Sequence, residues 1–162
     1  MTLKMIQVKD GDRTLQFNGK LLGQSSSYRG DSLRWIEFKL YKTENGSYVL
    51  SRIGISIVYH SAVCHLVKRY NLIEISTHDL RNPRQMTPCD LCSPSLSAGV
   101  VFPEKDRNWA QVSDDPNAVL EALYKYDDSG ARYLTHVAQR LMFDAAALDK
   151  AIDAVYRIEV IP

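Results

Sequence analysis

Residues 33–60 read LRWIEFKLYKTENGSYVLSRIGISIVYH. Ile36, Phe38 and Leu40 alternate with Glu37, Lys39 and Tyr41, which is the period-two signature of a half-buried strand. Val49, Ile53, Ile55 and Ile57 continue an apolar series beyond Asn45-Gly46. That dipeptide is a strong short-range hairpin signal, because both central residues of a type I′ turn need positive φ. A two-residue loop pairs Glu44 with Ser47, and sets Phe38 opposite Ile53 and Ile36 opposite Ile55. Upstream, LKMIQV and RTLQFNGKLL flank Asp10-Gly11, a second hairpin signal that puts Leu15, Phe17 and Leu21 on one face. The polar turn formers QSSSYRGDS follow. The first part therefore reads as an antiparallel meander of about four strands with an apolar face that needs covering.

The cover is expected from the other end. Asp114-Asp115-Pro116 is a helix start, an acidic cap followed by proline in the first turn. Val119, Leu120 and Leu123 give that helix its apolar side. After Asp127-Asp128-Ser129-Gly130, a longer helix is expected from about Ala131 to Leu148. Its stripe is Leu134, Val137, Ala138, Leu141, Ala145 and Leu148, at spacings of three and four. LDKAIDAVY extends the helical pattern, and RIEVI is a candidate last strand. The fold class is thus α+β: an N-terminal antiparallel meander packed on C-terminal helices, with a long proline-rich loop between. One domain spans 1–162, with residues 1–60 as its sheet, 61–113 as an irregular part containing Cys-x-x-Cys, and 114–162 as its helices.

The middle changes the picture. From about residue 76 to residue 113 it holds Pro83, Pro88, Pro94 and Pro103 and little periodicity. A structureless stretch of that length needs something other than apolar burial to order it. It also holds Cys89 and Cys92. Cys-x-x-Cys is a zinc knuckle, because the turn presents two thiolates from one side to a tetrahedral ion. The third cysteine, Cys64, stands four residues after His60, and on a helix those two share a face. His65 and His78 also lie near. The expected site is a structural zinc ion held by Cys64, Cys89, Cys92 and His60. Metal bonds there stand in for a hydrophobic core. Two other readings compete: three unligated thiols with Cys64 buried as a small hydrophobe, and a redox Cys-x-x-Cys, for which Asp90 and Pro94 suit the following helix poorly.

Pro88-Cys89-x-x-Cys92 also matches half of the zinc-deaminase pattern H-x-E…P-C-x-x-C. The proton-shuttling glutamate is missing in every frame: His60 is followed two residues on by Ala62, Cys64 by Leu66, His65 by Val67 and His78 by Leu80. Phosphate-binding and nucleophile-elbow motifs are absent as well. A Cys64–histidine nucleophile pair is conceivable, but adjacency in sequence fixes no geometry. His136 falls on the polar side of the expected long helix, beside Arg132, Gln139 and Arg140.

Composition is that of an ordinary globular chain of 162 residues, 45% hydrophobic and 24% charged. No apolar run approaches the ~20 residues that span a bilayer, so no membrane role is expected, and the first residues carry no secretory signature. An odd cysteine count argues against a disulfide framework and for a reducing cytoplasmic setting. The net charge of +1 is unevenly spread: residues 1–110 carry 15 Lys and Arg against 10 Asp and Glu, and residues 111–162 five against nine. Basic residues Arg34, Lys39, Arg52, Lys68, Arg69, Arg81 and Arg84 make a candidate surface for nucleic acid or a partner protein. Aromatic-basic pairs at Tyr28-Arg29, Arg34-Trp35, Lys68-Arg69-Tyr70 and Arg107-Asn108-Trp109 add a weak stacking signal. The expected function is a non-catalytic binding module recognising nucleic acid or protein. A small metal- or cysteine-dependent enzyme and an interaction subunit of a larger assembly, including a homo-oligomer, are the alternatives.

Overall fold

The structure, a computed structural model, describes residues 2–67, 75–76, 86–91, 100–157 and 161–162. In chain order the elements are β1 (Lys4–Asp10), β2 (Arg13–Ser26), β3 (Arg34–Thr43), β4 (Tyr48–Ser56), β5 (Val58–Ser61), β6 (Ile75–Ser76), β7 (Thr87–Pro88), β8 (Val100–Pro103) and β9 (Arg107–Ser113). Then come α1 (Pro116–Leu123), β10 (Lys125–Tyr126), β11 (Arg132–Tyr133), α2 (His136–Leu148) and α3 (Lys150–Arg157). The chain forms two compact units, one of Met1–Ser27, Ile36–Ile53 and Asn108–Pro162, the other of Tyr28–Trp35 and Gly54–Arg107.

The first unit is α+β with an N-terminal meander. Its sheet has five strands in the order β1-β2-β3-β4-β9, one more than the sequence pattern indicates. Both hairpins exist, but with different turns. Asp10 pairs with Arg13, so the loop is Gly11-Asp12, with Gly11 at φ +59°. Glycine at the first central position is what a type II′ turn needs. In the second hairpin Thr43 donates its N–H to Ser47 at 2.8 Å, and Gly46 donates to Thr43 at 3.0 Å. Only Gly46, at φ +90°, is left-handed there. The loop is thus three residues long, a turn closed by a glycine bulge, not the expected two-residue type I′ loop.

That one-residue change moves the strand partners. Leu50 and Tyr48, not Val49 and Ile53, share the cluster of Leu40 and Phe38. Val49 joins Tyr41 on the other face, together with Val8 and Ala110. Slipping a strand by one residue reverses every side chain, so the expected pairs of Phe38 with Ile53 and of Ile36 with Ile55 are not formed.

Both faces of this sheet bury apolar side chains. Ile6, Leu15, Phe17 and Leu21 pack against the cluster of Val8, Tyr41, Val49 and Ala110. The sheet curls toward that face: Gly11 donates to the Asn108 carbonyl at 2.9 Å, and the Asp10 carboxylate accepts from Ala110 at 3.2 Å. The helices cover the opposite face, where Leu22, Leu40, Tyr48 and Leu50 meet Leu141, Met142, Ala145 and Ile152. The expected cover for Leu15, Phe17 and Leu21 therefore comes from the sheet's own curl. A β-bulge between Leu21 and Gly23 shifts the phase of β2. Beyond it, Gly23 turns to the helix side, where an added Cβ would meet the Leu141 carbonyl at 2.9 Å. The absent side chain is what lets α2 lie this close.

The helix starts follow local chemistry. Asp115 caps α1 by accepting from Asn117, with Pro116 as the first helical residue. Thr135 caps α2 through Ala138, so α2 begins five residues later than the stripe indicates. The Asp127 carboxylate accepts from Ser129 and Ala131, at 2.9 Å each, and Gly130 adopts φ +84°. This closes the small β10–β11 hairpin in place of a first helical turn. LDKAIDAVY forms a separate helix, α3, because Asp149 ends α2 and caps the next: its N–H reaches the Ala145 carbonyl while its carboxylate accepts from Ala151 and Ile152. RIEVI falls largely outside the described residues.

In the second unit β6, β8, β5 and β7 form a four-stranded sheet in that order. Strand β5 runs antiparallel to β8 and parallel to β7. The described part of the middle segment is thus largely short strands, where the pattern indicated a loop. Strands of two to four residues are too short for alternation to be read. Among the described residues no helix is long and apolar enough to cross a membrane.

Candidate metal centre

Strand β5 is enclosed: Val58, Tyr59 and His60 are 1%, 2% and 0% exposed. It is flanked by β7 and β8, and each neighbour delivers one chemical group. On one side Thr87 donates to the Ile57 carbonyl at 2.8 Å and Cys89 to the Tyr59 carbonyl at 3.0 Å, which brings the Cys89 thiol beside His60. On the other, Glu104 donates to the Val58 carbonyl at 3.1 Å, just past the end of β8. After β5 the chain turns sharply, with Cys64 donating to the Ser61 carbonyl at 3.0 Å and Val67 to Cys64 at 3.1 Å. His60 and Cys64 are brought together by this strand-and-turn path, not by the helical face expected from their spacing.

Cys64 Sγ lies 3.5 Å from His60 Nδ1 and 3.6 Å from Cys89 Sγ. The three ligand atoms all fall within 4.8 Å of one another, and all three residues are buried. For a tetrahedral zinc ion, with Zn–S about 2.3 Å and Zn–N about 2.0–2.1 Å, sulfur atoms sit about 3.8 Å apart and sulfur and nitrogen about 3.6 Å. The two distances from Cys64 Sγ match that geometry within a few tenths of an ångström, and the remaining one, between His60 and Cys89, lies within 4.8 Å. Neither Cys64 nor Cys89 is in a disulfide. Val58, Leu66 and Val67 pack around the thiols, so the group sits in an apolar shell.

The far side of the histidine is charged. Glu104 Oε1 faces His60 Nε2 at 3.5 Å. The Arg34 guanidinium grips Glu104, with Nε 3.1 Å from both carboxylate oxygens, and Ser56 Oγ donates to it at 3.2 Å. Burial pushes the Glu104 carboxyl up, but the Arg34 hydrogen bonds and charge outweigh it and hold the group below the usual range. A buried carboxylate kept ionised behind a histidine is the outer shell common to metal-binding histidines.

Of the expected ligands, the structure brings His60, Cys64 and Cys89 together; Cys92 lies outside the described residues, as does His78. His65 is exposed, and so is His136, at the start of α2. Of the expected basic surface, Arg34 is committed to Glu104, Lys39 and Arg52 are exposed, and Lys68, Arg69, Arg81 and Arg84 lie outside the described residues. Tyr28 and Trp35 pack edge to face on each other at 4.7 Å. Sequence reasoning missed Glu104. A lone acid after Val100–Pro103 has no local pattern; the one signal was general, that a buried ligating histidine wants an acceptor for its second nitrogen.

No protein-family model matches the chain, and no curated protein or solved structure matches it.

Proposed function

We propose that this chain is a non-catalytic binding module whose second unit is held together by a structural zinc ion. The observation that carries the reading is the buried triplet His60, Cys64 and Cys89, whose ligand atoms all lie within 4.8 Å of one another, close enough to hold one ion. Thiolates favour a soft ion, and two thiolates with an imidazole in a tetrahedral spacing favour zinc. Cys92, three residues after Cys89, supplies the fourth ligand in this reading. A set made wholly of protein groups is a closed site, which orders a fold and leaves no position for substrate.

The enzyme alternative has one structural argument: Cys64, His60 and Glu104 stand in the order of a nucleophile, a base and an orienting acid. Two facts oppose it. His60 is 0% and Cys64 6% exposed, and a second buried thiol, Cys89 Sγ, lies 3.6 Å from Cys64 Sγ. Burial and the second thiol both favour a metal.

The partner is a protein in this reading. Val63 and Leu91 sit in the turns next to the ligands and are 92% and 63% exposed, apolar tips held rigid by the ion. The expected basic surface is weakened by the commitment of Arg34 to Glu104. Nucleic acid remains a second reading, on the exposed Lys39 and Arg52.

Cobalt-substituted protein tests the site: a tetrahedral spectrum with thiolate charge-transfer bands, unmoved by azide or imidazole, supports a closed structural centre. A spectrum that shifts with azide marks an open position and overturns the non-catalytic reading. Binding to oligonucleotides that weakens steeply with salt shifts the partner to nucleic acid.

A further inference from the structure

The structure assigns Glu104 as the positioning residue that makes His60 bind the ion through Nδ1, an inference that rests on the metal reading above. The imidazole has two inequivalent nitrogens, and the one that ligates is set by what the other meets. Here they face opposite chemistry. Nδ1 points at the thiols, 3.5 Å from Cys64 Sγ. Nε2 points at the Glu104 carboxylate, 3.5 Å away. A carboxylate can only accept, so it favours the tautomer with its proton on Nε2 and leaves the Nδ1 lone pair for the metal. Positive charge at Nδ1 makes the Nε2 proton a stronger donor, which draws this contact into a hydrogen bond.

Glu104 is itself fixed from three sides. Arg34 holds both its oxygens, Ser56 donates from a buried position, and its own backbone N–H is tied to the Val58 carbonyl. Ser56 Oγ also accepts from the Val58 N–H at 3.0 Å, so the strand that carries His60 and the acid that orients it share one hydrogen-bond set. Arg34 supplies charge balance: the two described thiolates, the third proposed at Cys92 and the Glu104 carboxylate together exceed the charge of one dication, and a guanidinium fixed on the carboxylate limits that excess.

The test is nitrogen NMR of the His60 ring in the zinc-loaded full chain, with zinc affinity read by competition against a chromophoric chelator. Wild type is expected to show a metal-bound Nδ1 and a protonated Nε2 whose hydrogen exchanges slowly with water. Glu104→Leu should weaken zinc about 10–100-fold and speed that exchange, while Glu104→Gln, which keeps an accepting oxygen, should restore most of both. A metal-bound Nε2 in wild type overturns the assignment while leaving the zinc centre intact. Equal affinity and exchange in all three proteins overturns it too. Absence of bound zinc in wild type removes both this assignment and the reading beneath it.

Discussion

Cys64 and Cys89 are 25 residues apart in the chain and place their sulfur atoms 3.6 Å apart. Two thiols buried at that distance with no disulfide between them gain little from each other, since sulfur hydrogen bonds are weak. An ion between them changes that balance. Metal analysis of the purified protein should find about one zinc per chain, and Cys64→Ser or Cys89→Ser should each remove most of it. Chelation should lower the thermal midpoint of wild type but not of either variant; ligand at 100 times its dissociation constant contributes about 2.7 kcal/mol. Wild type that holds no zinc, or a midpoint indifferent to chelator, contradicts the prediction.

Lys42 Nζ meets Asp149 Oδ2 at 2.6 Å, and this joint ties the sheet to the helices of the first unit. Asp149 Oδ1 also accepts from the Tyr48 hydroxyl at 3.0 Å and caps α3. Burial pushes the Asp149 carboxyl up, but the Lys42 hydrogen bond, the Ile152 N–H and the Tyr48 hydroxyl outweigh it, so the group stays below its ordinary value. Asp149→Ala should cost about 2–4 kcal/mol, from a lost cap and a broken partly buried pair. Asp149→Asn, which still caps, should cost about 1–2 kcal/mol. Denaturant titrations of the two variants give the order directly, and an alanine variant no worse than the asparagine one refutes it.

The same pair sets a pH window. Asp149 has its folded value below the unfolded one near 3.9, so its contribution is present above about pH 4 and is lost as pH falls through the folded value. Lys42 is raised, chiefly by its hydrogen bond to Asp149, so its share is present below its unfolded value and is lost as pH rises through the folded one. Asp149→Asn should therefore flatten the acid limb of a stability–pH curve. An acid limb of unchanged steepness assigns it to other carboxylates.

The second hairpin offers a direct check of register. Asn45 has no positive φ, and Gly46 does. Gly46→Ala should cost about 1 kcal/mol, and Asn45→Ala less than about 0.5 kcal/mol. A type I′ loop, with both residues left-handed, predicts comparable losses at the two positions. Thermal melts of the pair separate the two turns.

That hairpin also shows how far the pattern of residues reaches. Alternation located β3 and β4, and Asn-Gly located the turn between them, but whether the loop has two residues or three depends on strand twist and cross-strand packing. The difference decides which of Val49 and Leu50 faces the helices. The helix caps at Asp115 and Thr135 are local side-chain chemistry, and the first was legible for that reason. The second was masked by an apolar stripe running through Leu134. At the candidate metal centre, residue types and spacing pointed to His60, Cys64 and Cys89. The acid behind His60 was not legible, because Glu104 is brought to it from 44 residues away by the pairing of β8 with β5, and Arg34 reaches Glu104 in turn across 70 residues.

Gly23 lies at the contact between β2 and α2 on which the first unit's core depends. A Cβ at this position would sit 2.9 Å from the Leu141 carbonyl and 3.2 Å from the Ala145 nitrogen. Both are backbone atoms of α2, which cannot swing aside as a side chain can. Gly23→Ala must therefore push the helix outward, loosening Leu141, Met142 and Ala145, each fully buried. The expected cost is about 1–3 kcal/mol, despite alanine's better intrinsic fit to a strand. At Gly11, where the added Cβ meets nothing within 4 Å, any loss comes from backbone conformation alone. Hydrogen exchange tells the two apart: Gly23→Ala should speed exchange across α2, and Gly11→Ala only at its own hairpin. Unchanged protection of α2 in Gly23→Ala means the helix does not rest on β2 as closely as the structure shows.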